Sequence, residues 1–213
     1  TVGHGLSSAP NVILGKKYLG NADEWQCFFS DYGEASIGGS NAASNSMVLN
    51  TTAAVYTNQS YKGFGGVMPT STVFTVDGNN LNGSGDTVLA YCFANTEGFI
   101  KSGSYVGNGN VDGTFCFTGH KPAWIMCKRI DSSSYGNWRI MDNARSPFNV
   151  GDKSLLPNSA SAEESGSSDY VDLLSNGFKL RNTANWNSSG GTYVYLSMAE
   201  NPFKYATARW LTW

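Results

Sequence analysis

Two acidic pairs, Asp23-Glu24 and Glu163-Glu164, are the first places in this 213-residue chain where chemistry is conceivable. Glycoside hydrolysis uses two carboxylates at a fixed separation, one as acid and one as base or nucleophile. Both pairs lie in stretches rich in Asn or Ser, where solvated loop charge is the ordinary explanation. The two histidines, His4 and His120, each follow a glycine. Acid–base or metal work would require further His or carboxylate partners, and each half of the chain offers one His. A turn with the imidazole bonded to backbone is therefore expected. Cys27, Cys92, Cys116 and Cys127 show neither a regular disulfide framework nor a Cys-x-x-Cys zinc pair. Buried free thiols are expected, with a Cys116–Cys127 bridge across neighbouring strands left open. Residues 77–86, "DGNNLNGSGD", look like a calcium loop, but Leu81 takes the fifth place, where an oxygen is required. A β-turn is expected there instead. Asp142 and Arg145, three apart, suit an ion pair that pins a loop. Sequons at Asn50, Asn58, Asn82 and Asn187 follow from an Asn- and Ser-rich composition. These residues assign no catalytic group, no metal and no cofactor.

Composition says what must position them. Charged residues make up 14% of the chain, hydrophobic residues 40%, and there are 25 glycines. Helix surfaces need Glu, Lys and Arg, whereas Asn, Ser, Thr and Gly serve turns and strand faces, so an all-β fold is expected. A net charge of −2 gives no field to attract nucleic acid. No apolar run approaches the ~20 residues of a membrane helix, so no membrane insertion is expected.

The organisation is a repeat. "NGSGDTVLAYCFA" at 82–94 returns as "NSSGGTYVYLSMA" at 187–199. Other matches flank it in the same order: "APNVILGKK" at 9–17 with "KPAWIMCKR" at 121–129, and "VLNTTAA" at 48–54 with "LPNSASA" at 156–162. "VFTV" at 73–76 matches "GFKL" at 177–180, Trp25 falls near Trp138, and Gly3-His4 recurs as Gly119-His120. An ordered series of this kind marks an internal duplication. The expected architecture is two tandem, internally duplicated β-sandwich units, 1–100 and 101–213. The stretch 100–113 has no counterpart in the first unit, so the chain is expected to begin inside its own first repeat, with a parent extending upstream.

Strand alternation places Val194, Leu196 and Met198 inward and Tyr193, Tyr195 and Ser197 outward. The first copy is expected to put Leu89, Tyr91 and Phe93 inward. Its outer residues Val88, Ala90 and Cys92 are also apolar, which suggests a homo-oligomer with that face as the contact.

"GNVDGTFCFTGHKPAWIMCKR", "NWRIMDNARSPFN", "LLSNGFKLR" and "SGGTYVYLSMAENPFKYATAR" resemble a module of tail-fibre and other virion-surface proteins of tailed marine phages. It occurs near the C-terminal ends of those proteins. "VGHGLSSAPNVILGKK", "PTSTVFTV" and "SGDTVLAYCFANTEGF" are similar to its upstream copy, although the final "WLTW" departs from the usual ending. The resemblance implies lectin-like or jelly-roll-like sandwiches on a virion surface, assembled as homo-oligomers (as trimers, by that likeness) beside other virion proteins. It implies no catalytic residues.

Unrepeated loop aromatics are the candidates for stacking on a host surface glycan: Trp186, Tyr170, Tyr135, Tyr56 and Tyr61. Trp25 and Trp138 recur and are expected in the core. The expected function is non-enzymatic attachment, with a purely structural capsid or tail decoration as the alternative and a polysaccharide-degrading enzyme as a third reading.

Overall fold

The computed structural model describes residues 1–19, 23–31, 42–58 and 63–202. Its first half contains β1 (Val2–Gly3), β2 (Val12–Leu19), β3 (Gln26–Phe29), β4 (Met47–Val48), β5 (Val73–Phe74) and β6 (Thr87–Phe93). The second contains β7 (Ile100–Val106), β8 (Phe115–Phe117), β9 (Pro122–Arg129), β10 (Arg139–Asp142) and β11 (Lys153–Ser154). It ends with β12 (Glu164–Ser165), β13 (Val171–Leu174), β14 (Gly177–Leu180) and β15 (Thr192–Ala199). The fold is all-β. Within the 77–86 stretch, Asp77 accepts a hydrogen bond from the Gly78 N–H and caps a single helical turn, Gly78–Leu81, where a β-turn was expected.

Two four-stranded antiparallel sheets form the frame, in the orders β4-β3-β2-β6 and β10-β9-β15-β7. Each is backed by a smaller sheet, β1-β5 in the first half and β13-β14-β8 in the second. Corresponding positions of the aligned stretches make corresponding pairs. Ile13 lies opposite Phe28 and Cys92, and Ile125 lies opposite Met141 and Ser197. The shared Gly-His dipeptide is the exception. Gly3 pairs with Val73, but the residue facing Gly177 is Phe117 rather than Gly119.

Burial corrects the strand faces. Val194 and Leu196 are buried as expected, but so are Tyr193, Tyr195 and Ser197. The cause lies in the layering. Tyr193 and Tyr195 pack with Cys116, Phe178, Leu180 and Trp186 beneath the small second sheet. Val194 and Leu196 join a core shared with Val12, Cys27 and Phe29 of the first half. The two large sheets therefore bury faces against each other, and β15 is covered on both sides. In β6 the expectation holds for Phe93, which packs against the core, and is reversed for the rest: Leu89 and Tyr91 are exposed, while Val88, Ala90 and Cys92 pack against the core. Tyr91 instead stacks on half-buried Trp25 with ring centroids 6.3 Å apart. Trp138 is fully buried against Phe29.

None of the four cysteines is in a disulfide, and Cys116 and Cys127 lie in the same second core unbridged. Burial pushes Cys27, Cys116 and Cys127 far above the ordinary thiol range.

Candidate functional site

Three of the four carboxylates that suggested hydrolysis, Asp23, Glu163 and Glu164, are engaged by cations. Glu163 faces Arg145 at 3.2 Å and Lys153 at 4.0 Å, and Glu164 pairs with Arg139 at 2.8 Å. Asp23 lies 3.6 Å from Lys17, whose ammonium bonds Asp86 at 2.8 Å. The histidines also have structural partners. The Nδ1 of His4 accepts from the Leu6 N–H at 3.1 Å, which leaves Nε2–H to donate to the Thr70 carbonyl at 3.1 Å. His120 departs from the expected backbone bond: it is buried and its Nε2 lies 3.0 Å from the Ser197 hydroxyl, with burial lowering its pKa.

The proposed glycan-binding aromatics fall into different places. Trp186 is core, 1% exposed, with its indole N–H donating to buried Asp169 at 3.0 Å. Asp169 also accepts from Arg139 and from Asn185, so a polar loop residue ties the ring down instead of presenting it. Tyr135 and Tyr56 are exposed in separate loops. These loops approach along the seam between the halves, where the Val55 N–H donates to the Ile130 carbonyl at 2.9 Å. Tyr61 lies outside the described residues.

Tyr170 has a different setting. It lines an open cleft of about 350 Å³ together with Arg145, Pro147, Phe148, Val150 and Lys153. The loop that carries the cleft is braced at several points. Asp142 accepts from the N–H groups of Ala144 and Arg145 and pairs with the Arg145 guanidinium, as their spacing implies. The Asn149 side chain bonds both the N–H and the carbonyl of Leu173, at 2.9 and 3.0 Å. Ser146 Oγ accepts from Asp152 and Lys153 N–H groups at 3.3 and 3.2 Å. The bracing holds Phe148 out in solvent, 82% exposed. A large apolar ring fixed in water beside Tyr170, with Asp152 and Lys153 nearby, can stack on an apolar face and offer polar groups around it. Nothing in the "SPFNV" sequence distinguishes Phe148 from a core residue, because exposure depends on where the loop is fastened.

A family model described as "Domain of unknown function (DUF7483)" matches residues 1–202. The chain belongs to this family. No curated protein matches it, and no solved structure does. The most deeply buried charge of this DUF7483 domain is elsewhere, at the seam. Lys128 is fully buried and its ammonium donates to the Thr52 carbonyl at 3.1 Å and to the Gly136 carbonyl. Desolvation pulls its pKa down to about 8. Two carbonyl partners and its position between the halves make it a structural clamp. In the sequence it appeared only as part of a repeated basic pair, Lys16-Lys17 and Lys128-Arg129.

Proposed function

We propose that the chain is a non-enzymatic, tail-fibre-like module of a tailed-phage virion surface that contacts host glycans through the cleft beside Phe148 and Tyr170. The observation that carries this reading is Phe148 itself, held in solvent by a loop whose polar groups are already bonded. Water-exposed aromatic rings on braced loops are suited to the faces of pyranose rings, and neighbouring polar groups to their hydroxyls. The ion-paired carboxylates are further support, since Glu163 and Glu164 are engaged with Arg145, Lys153 and Arg139.

Purely structural decoration is the second reading, and the core shared between the halves favours it, because such a core makes a stiff spacer. The trimeric assembly implied by the resemblance would use surfaces other than Val88, Ala90 and Cys92, which pack against the core and line a partly open cavity. The test compares adsorption to host cells, and retention on host surface polysaccharide, for wild type and Phe148→Ala with Tyr170→Ala. Loss of retention in a variant with unchanged melting supports attachment. Unchanged retention overturns it.

A further inference from the structure

The aligned halves differ at one edge. In the second half, β15 is paired on both sides, with β9 and with β7. Its counterpart β6 is paired with β2, and among the described residues no strand takes its other edge. Tyr105 of β7 lies opposite Tyr193 and stacks on it with centroids 4.9 Å apart, and its hydroxyl donates to the Trp186 carbonyl at 2.8 Å. The strand thus closes the sheet edge and fills the core beneath it.

The first half lacks both contributions. At the positions of Tyr193 and Tyr195 in the repeat stand Val88 and Ala90, so two large rings are replaced by small side chains. A cavity of about 420 Å³ opens at that place, lined by Val88, Ala90 and Cys92 from β6 and by Phe74, Val76 and Leu81 from across the sandwich. An unpaired strand edge beside a cavity that is apolar along Val88, Ala90 and Cys92 and polar at His4, Asn82 and Asp86 has two unmet requirements, hydrogen-bond partners for its backbone and cover for its apolar side chains. An added strand satisfies both together.

We propose that the free edge of β6 and the cavity beside it are a receptor for an antiparallel β-strand from outside residues 1–213, of the β7 type and bearing bulky apolar side chains at its inward positions. The structure also says how this strand should differ from β7. Gly103 lies opposite Tyr195, and a Cβ there would meet the Tyr195 hydroxyl at 2.7 Å and its ring at 2.8 Å. Ala90 imposes no such limit. The residue facing Ala90 is therefore an aromatic or large aliphatic one, and the ring that β15 supplies in the second half comes from the incoming strand in the first. The proposal is independent of the cleft at Phe148.

The test uses the 213-residue chain and a synthetic peptide of the Gly98–Asn108 sequence carrying Gly103→Tyr. Saturable binding is expected, with amide exchange slowed at alternate residues of Thr87–Phe93. The unmodified peptide should bind about tenfold more weakly or worse, and so should a peptide with Ser at both the 103 and 105 positions. These peptide changes leave the protein intact, so they stand even if Ala90→Glu, which should abolish binding, impairs folding. No saturable binding, or protection at Thr192–Ala199 in place of β6, overturns the proposal. So does a β6-to-β6 dimer of the chain alone, detected by light scattering and lost in Ala90→Glu, because the occupant would then be a second copy.

Discussion

The indole N–H of Trp138 donates to the carbonyl of Val48 at 2.9 Å, joining the second half of the chain to the first at a point with no exposure to solvent. Half-buried Trp25, at the matching place in the aligned first half, stacks on Tyr91 instead. The same residue type thus serves the seam in one half and a partly open face in the other.

Trp138→Phe keeps an aromatic ring against Phe29 but removes part of the indole volume and leaves the Val48 carbonyl without its donor. The expected cost is about 1–3 kcal/mol, and for Trp138→Ala about 3–5 kcal/mol. Urea unfolding measures both. Because the core is shared, the wild type should unfold in one transition by intrinsic fluorescence and by circular dichroism. Two resolved transitions would show that the halves are energetically separate.

The strand-face assignment separates two leucines. Leu196 is 1% exposed and Leu89 41%. Leu196→Ala should cost about 2–5 kcal/mol, whereas Leu89→Ala should stay within about 0.5 kcal/mol. Similar losses at both sites would mean that β6 is covered on its outer face.

Asp169 accepts from Arg139, Asn185 and Trp186 while itself buried. Asp169→Ala removes the buried acceptor of the Trp186 and Asn185 donors and leaves the Arg139 guanidinium with partly exposed Glu164 as its carboxylate, and should cost about 3–5 kcal/mol. Glu164 pairs with the same guanidinium from a partly exposed position, so Glu164→Gln should cost about 1 kcal/mol or less. Equal effects in equilibrium denaturation would place the ion pair's weight on the wrong carboxylate.

Lys128 predicts a pH signature. Its folded pKa is lowered to about 8 from the ordinary 10.5 by desolvation. Between those values the unfolded chain binds more protons than the folded one, so this group's contribution to stability rises with pH. Buried Cys27, Cys116 and Cys127 act in the opposite direction, since their thiols ionise earlier in the unfolded chain. The readout is therefore the difference between wild type and Lys128→Met. From about pH 7 to about pH 10 it should move by about 2–3 kcal/mol in favour of the wild type. Parallel stability curves would show that the ammonium is well solvated.

The sequence alone determined the all-β class, because a chain poor in Glu, Lys and Arg and rich in Asn, Ser and Gly cannot surface helices but can surface strands and turns. It also located the stretches that pair alike, since 82–94 and 187–199 occupy matching strands in matching register. What it could not determine was which face of each strand meets what. Alternation states only that residues two apart share a side, and β15 and β6 both carry apolar groups on both sides. Tertiary stacking then decided that Tyr193 and Tyr195 are core, that Leu89 and Tyr91 face solvent, and that Val88, Ala90 and Cys92 line a cavity. The candidate site divided in the same way. Trp186 and Phe148 are both single aromatics in polar loops by sequence, yet Asp169 draws one into the core and Asn149 clamps the other's loop onto β13. Burial is a property of contacts between segments far apart in the chain, and no local pattern of residue types encodes it.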